Sequence, residues 1–210
     1  MQRRAGKRYC WGSCYKENVF VHFIIDPKQK TVTIKKGYLS FTRGEKIMNT
    51  IQIKPLTYEN FQKYGDFVRL DQVSPEKYQR IGQPPVEFYP DLILQNLGSP
   101  ILGVSLCRVF PRDLKVELTE HHNYTEEGNL PLDGDVYMHV GLATQEVEEM
   151  EVEVFEVPKL TFVRLKIGVW HHALYAKGDK PVNVLVLLAE RTYHNDCEVK
   201  PCNFTFGEKR

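Results

Sequence analysis

Apolar positions in this chain come in short runs broken by turn-forming residues, and few stretches repeat at helical spacing. Such runs occupy residues 91–97, 102–110, 115–121, 136–142, 152–157, 160–165, 169–175 and 182–189. Gly98-Ser99-Pro100, Gly128-Asn129, Asp133-Gly134-Asp135 and Lys177-Gly178-Asp179-Lys180 mark turns between several of them, because these residue types adopt or preset turn geometry without strain. Short strands with no long helix between them predict an all-β domain, closed into a barrel or folded as two packed sheets. Upstream, Ile51-Gln52-Ile53 alternates as a further strand. One or two short helices complete the pattern. The clear one covers residues 58–64, with Thr57 as cap, Phe61 and Tyr64 on one face, and Gly65 as the stop. Residues 74–90 hold Pro75, Pro84, Pro85 and Pro90 and read as an extended surface connection. The acidic residues 146–151 read as a solvated edge or loop.

Composition divides the chain. Residues 1–47 carry eleven Lys or Arg against three Asp or Glu, a net of +8, which leaves −7 for the remainder of a chain whose formal charge is +1. Residues 1–47 are therefore read as a basic N-terminal extension with a small hairpin over 19–25 and 31–34, and residues 48–210 as the main domain. Arg43-Gly44-Glu45-Lys46 back-translates into a purine-rich run before Met48, so Met48 is the expected natural start and the extension is not expected in the native protein. An acidic main domain argues against nucleic acid as its partner. Five cysteines, an odd and sparse set, fit a reducing cytoplasm. No apolar run approaches the roughly 20 residues that span a bilayer, so no membrane association is expected. Cys10-Trp11-Gly12-Ser13-Cys14, with only His22 nearby and no second Cys pair, reads as a chance spacing.

The candidate chemistry lies in two segments. Gly168-Val169-Trp170-His171-His172 sits among apolar residues, and alternation on an extended segment would turn one of the two imidazoles inward and the other outward or to a rim. In Glu120-His121-His122, Glu120 and His122 share a strand face, and Glu127 follows five residues after His122. Converging imidazoles and carboxylates can bind a metal or move protons. Trp170 reads as core or pocket wall, Cys107 as a buried thiol and His194 as surface. His139 is as readily structural as inward-facing, and Arg108 and Arg112 serve a pocket or its rim.

His122, Glu127 and Gly134 resemble the first signature of the cupin superfamily, with Glu120 where its first histidine would stand. Gly168-Val169-Trp170-His171 resembles the second, with Lys166 in place of the usual proline. The match narrows further. Ile53-Lys54-Pro55-Leu56-Thr57 with Phe61 and Tyr64-Gly65-Asp66, then Glu120-His121-His122 with Glu127 and Pro131-Leu132, then Val169-Trp170-His171-His172, and finally Asn195-Asp196-Cys197-Glu198 are similar, in order and spacing, to the ureidoglycolate lyase (ureidoglycolate hydrolase) family. His121 replaces an arginine of that family and Glu127 a glutamine.

That resemblance implies a cupin-like β-barrel or jelly roll and an amidine-lyase that splits ureidoglycolate into glyoxylate and urea in allantoin and purine catabolism. It implies His122, His171 and Glu127 as catalytic groups, and Glu120, His122, Glu127 and His171 as ligands of a divalent metal, whether nickel, zinc, manganese or iron. Arg164 or Lys166, cationic and just before the motif, is expected to hold the substrate carboxylate, with Trp170 and His172 also against the substrate. Pairing of barrels through edge strands makes a homodimer the expected assembly. The changes at His121 and Glu127 motivate an alternative: a cupin that acts on another small polar metabolite such as a sugar, as an isomerase or a non-catalytic binding module.

Overall fold

The computed structural model describes residues 20–26, 31–37, 50–143, 147 and 150–207, and the spacing of Cys10 and Cys14 lies outside them. The chain divides into two compact units, Met1–Ile47 and Met48–Arg210. In the first, β1 (Phe20–Asp26) pairs antiparallel with β2 (Thr31–Gly37).

In the second unit, alternation builds two sheets. The smaller uses β4 (Gly65–Arg69), β7 (Leu102–Val109), β9 (Glu127–Pro131), β12 (Thr161–Leu165) and β14 (Val182–Ala189), in the order β4-β12-β9-β14-β7. The larger uses β3 (Ile51–Pro55), β8 (Lys115–His121), β10 (Val136–Gly141), β11 (Val152–Val157), β13 (Tyr175–Ala176) and β15 (Glu198–Gly207), in the order β13-β10-β11-β3-β15-β8. Neighbours run antiparallel except β3, which is parallel to both β11 and β15. The helices α1 (Tyr58–Phe61) and α2 (Thr192–Asn195) are single turns. The domain is thus all-β and built on two sheets, as expected from the pattern. Among the described residues no helix is long and apolar enough to cross a membrane.

Every second residue of β14, namely Val182, Val184, Val186 and Leu188, is buried. These side chains meet Val163 and Leu165 of β12, Val136, Met138 and Val140 of β10, and Phe155 of β11 in one apolar cluster. The larger sheet carries a second cluster with Val116, Tyr137, Val154, Tyr175 and Phe206. Because strand side chains alternate, β10 supplies Met138 to the first cluster and Tyr137 to the second. Trp170 pairs through its backbone with Gly141 of β10, and His171 with Glu120 of β8. Those strands stand near opposite ends of the six-strand order, so residues 170–171 bridge across it.

Several expectations are corrected by what the backbone must accommodate. The helix does start on Thr57, whose hydroxyl accepts from the Asn60 N–H, but it ends at Phe61. Gly65 is not its stop. It opens β4, where an added Cβ would lie 1.8 Å from the Arg164 carbonyl oxygen, a close approach that only glycine permits. Gly128-Asn129 is not a turn either; it lies in β9, between β12 and β14. Residues 91–97 form no strand, because Gln95 and Asn96 dock instead through hydrogen bonds to Glu126 and Leu187. Residues 74–90 include a small hairpin, β5 (Ile81–Gln83) with β6 (Val86–Phe88). Residues 169–175 are broken into backbone bridges and the two-residue β13. Within the acidic run, Val147 and Met150 are buried against Trp170 rather than solvated.

Candidate functional site

The site begins with Glu127 on β9. Its strand partner is Leu165, a core residue, so the carboxylate points into the barrel and is 7% exposed. Asn129, two residues on and therefore on the same face, donates Nδ2–H to Glu127 Oε1 at 2.9 Å. The other carboxylate oxygen, Oε2, receives two imidazoles. His122 Nε2 lies 3.0 Å from it and His171 Nε2 3.2 Å. The two rings are 5.2 Å apart, and ligand atoms of all three buried residues fall within 4.8 Å of one another.

What these rings can do is set by their other nitrogens. His122 Nδ1 is 2.6 Å from the Asp196 carbonyl oxygen, and His171 Nδ1 is 2.8 Å from the Val169 carbonyl oxygen. A carbonyl can only accept, so each Nδ1 carries a proton. If the rings are neutral, both Nε2 lone pairs then face a carboxylate. That arrangement calls for a proton on each Nε2 or for one shared cation. His171 Nε2 also lacks the alignment of a hydrogen bond to any partner, although it is buried. Two imidazole nitrogens and a carboxylate oxygen converging on an unsatisfied point are a donor set that fits a divalent metal.

Charge follows geometry. Burial pushes His171 down, but the adjoining Glu127 carboxylate outweighs burial and raises it to about 9. Burial pushes Glu127 up, and the charge of His171 with the hydrogen bond and charge of His122 overcome it, leaving the carboxyl far below its usual 4.5. Burial lowers His172, against the opposing charge of Glu120.

The polypeptide spends specific residues on holding this geometry. Asp196 receives the His122 ring on its carbonyl, while its carboxylate accepts the N–H groups of Asn123 and Tyr124 at 2.7 and 2.8 Å. Gly168, with φ of 81°, turns the chain left-handed just before Val169, and its N–H donates to the His122 carbonyl at 2.8 Å. Glu120 lies beside the triad, accepting the Cys197 thiol proton on Oε2 at 3.1 Å. Burial and then Glu120 push that thiol strongly upward. Burial and the charges of Glu127 and Glu120 likewise raise the Tyr193 phenol. Asp196, Cys197 and Asn129 carried no role in the sequence reading, although Asn195-Asp196-Cys197-Glu198 had stood out as a block.

The structure brings together His122, Glu127 and His171, with Glu120 adjacent, and separates other candidates from them. Arg164 sits on the outer face of β12, since Val163 and Leu165 take the inner one, and pairs with Glu126 at 2.8 Å and with Asp66. Lys166 is exposed, and its ammonium donates to the Gln62 carbonyl at 2.6 Å. Both cations thus already have partners on the protein itself. Trp170 turns away from His171 into the pocket of Val147 and Met150, with the His121 ring 4.2 Å from its own, so it is core rather than a substrate contact. His172 is half-buried, directly follows His171, and has Glu120 and Glu127 in its electrostatic surroundings. His139 is buried, 3.3 Å from the Thr119 hydroxyl, and burial holds it well below its usual value. His194 is exposed.

The shifts of Glu127 and His171 contribute opposite slopes to the pH dependence of the metal-free protein. Glu127, lowered in the fold, contributes stability that is present above about 4.5 and lost as pH falls; His171, raised, contributes stability that is full below 6.5 and lost as pH rises through about 9. Denaturant unfolding across that range should show a maximum between these limits, and Glu127→Gln should flatten both slopes. Equal slopes in protein and variant would show that the pair is not coupled.

The chain is 28% identical over 138 residues to the ureidoglycolate lyase of Burkholderia mallei (strain NCTC 10229), across 63% of this chain and 78% of that protein. It is 28% identical over 130 residues to the ureidoglycolate lyase of Escherichia coli (strain K12), across 60% and 79%. Among solved structures, a dTDP sugar isomerase from Desulfovibrio desulfuricans G20 aligns with a TM-score of 0.40 at 15% identity, over 59% of this chain and 80% of that one. Oxalate decarboxylase of Bacillus subtilis aligns with a TM-score of 0.35 at 15% identity, over 48% and 23%. The ureidoglycolate lyase family profile matches residues 48–205, and this chain belongs to that family.

Proposed function

We propose that this chain is a cytoplasmic amidine-lyase of allantoin and purine catabolism that cleaves ureidoglycolate into glyoxylate and urea. The observation that carries the reading is the buried convergence of His122, Glu127 and His171 within the family-matched segment. In this cleavage the carbinol O–H and the C–N bond break while a C=O and an N–H bond form. The proton balance is closed, so one group that takes the hydroxyl proton and returns it to the departing ureido nitrogen suffices.

His172 suits that task. Burial keeps its imidazole neutral and ready to accept, and Glu120 stabilises the imidazolium formed midway. His122, Glu127 and His171 would hold a divalent metal of the nickel, zinc, manganese or iron type through Nε2, a carboxylate oxygen and Nε2. When bound, it supplies positive charge for the carbinol oxygen as that oxygen becomes a carbonyl. Asn129 and Asp196 orient Glu127 and His122 for this task.

A homodimer is supported by β7, the edge strand of the smaller sheet. Leu102, Val104 and Leu106 face outward from it at 47%, 62% and 56% exposure, an apolar edge that a second copy would cover. Sedimentation should find a dimer for the wild type and a monomer for Val104→Asp; a monomeric wild type contradicts the pairing.

For the activity, the purified protein should release urea from ureidoglycolate after chelation and return of a divalent metal. His172→Ala should lower kcat by about 100-fold or more with metal content unchanged, and His171→Ala should lose the metal. Failure to release urea with nickel, zinc, manganese or iron would favour the alternative, a cupin acting on another small polar metabolite such as a sugar.

A further inference from the structure

The stretch that carries His171 is held by backbone at two points. Gly141, at the end of β10, exchanges hydrogen bonds with Trp170 at 2.9 and 2.8 Å, and Glu120 of β8 exchanges them with His171 at 2.6 and 2.8 Å. Side chains add a third tie between the same two strands. His139 stands two residues before Gly141 on β10, and Thr119 one residue before Glu120 on β8. His139 Nε2 lies 3.3 Å from Thr119 Oγ1, and Thr119 Oγ1 lies 3.1 Å from the His171 carbonyl oxygen. These links close a ring from β10 through residues 170–171 to β8 and back.

The proton directions in this ring are determined. A carbonyl only accepts, so the Thr119 hydroxyl proton goes to His171. A hydroxyl has one proton, so Oγ1 accepts from His139, whose Nε2 therefore carries the hydrogen. His139 is thus the opposite tautomer from His122 and His171. Both side chains of the tie are buried, His139 at 1% and Thr119 at 0% exposure, and burial keeps the His139 ring neutral. His139 Nδ1 has no hydrogen-bond partner among the described residues. An imidazole that only filled space beside Phe204, 6.1 Å away, would do so at the cost of an unpaired buried nitrogen that an apolar residue avoids. Its one hydrogen bond goes to the tie.

We infer that His139 is a positioning residue for His171: through the Thr119 hydroxyl it clamps the His171 carbonyl and so fixes where the ring nitrogen of that residue meets Glu127. This inference rests on the triad as a metal site and deepens that reading. With the His139 N–H aimed at its oxygen, the Thr119 hydroxyl keeps its proton on the carbonyl, which also receives the Glu120 N–H. The Val169 carbonyl holds the far side of the same residue at Nδ1. Backbone and ring are thereby restrained together, and Nε2 is left for a ligand. Groups that orient a metal ligand in this way change metal affinity by about 10- to 100-fold, and the lower end suits a group acting through an intermediary.

The test reads zinc binding and the His171 ring in Thr119→Val, His139→Phe, the double variant and His139→Gln, whose side-chain amide restores a donor. Zinc dissociation constants, taken by competition with a chelator, should rise about 10-fold in each of the first two, no further in the double variant, and less than about three-fold in His139→Gln. In the metal-free protein the His171 ring 15N resonances should move in the first three variants and return in His139→Gln. Wild-type His139 should appear as the neutral ring protonated on Nε2, a readout that needs no variant to fold. Effects that multiply in the double variant, a His139→Gln as impaired as His139→Phe, or His139 protonated on Nδ1 would overturn the clamp. A wild type that binds no zinc but shows the 15N pattern would overturn the metal reading and retain the clamp.

Discussion

Two backbone carbonyls decide the chemistry of the buried imidazoles. The oxygens of Asp196 and Val169 each consume the Nδ1 proton of a histidine, which leaves the opposite nitrogens of His122 and His171 aimed at one carboxylate oxygen of Glu127. A buried carboxylate facing two lone pairs is costly unless positive charge lies between them. Protons or a divalent cation can supply it, so metal and protons compete for the same atoms. The raised proton affinity of His171 and the depressed carboxyl of Glu127 are two views of that one demand.

The fold exists around this demand in a concrete sense. Glu127 enters from the smaller sheet, His122 from the end of β8, and His171 from a stretch that bridges β8 and β10. No one of these elements could place the three groups alone. The left-handed Gly168 makes the bridge geometrically feasible, and the Asp196 carboxylate stitches the turn after His122 to the stretch leading into β15. Burial of Trp170 behind Val147 and Met150 fixes the backbone whose next residue is His171.

Apolar runs made the strands readable because at least one face of each packs on the core, and both faces in β10: β7, β8, β10, β11, β12 and β14 all lie where such runs stand in the sequence. Where pairing was achieved by other means, the pattern was silent or misleading. Gly128-Asn129 has turn chemistry, yet it serves a strand in which Phe162 and Gln95 occupy the space a Cβ would need. β15 mixes Pro201 with polar residues and a bulge, so its ten residues gave no run to detect. At the site, His122, Glu127 and His171 were readable from motif spacing. For Arg164 and Lys166 the sequence shows charge but not which face a strand residue takes or which protein partner it meets. Asp196 acts partly through its backbone carbonyl, which no side-chain pattern records.

The central claim is that both rings hold their protons on Nδ1 and offer Nε2 to the cavity. Side-chain 15N NMR of the histidine-labelled, metal-free protein, at least about two pH units above 9 so that His171 is neutral, reads this directly. The account predicts that His122 and His171 both appear as the neutral form protonated on Nδ1. Protonation on Nε2 in either ring would mean that its carbonyl bond is not made and that the three groups do not converge as described.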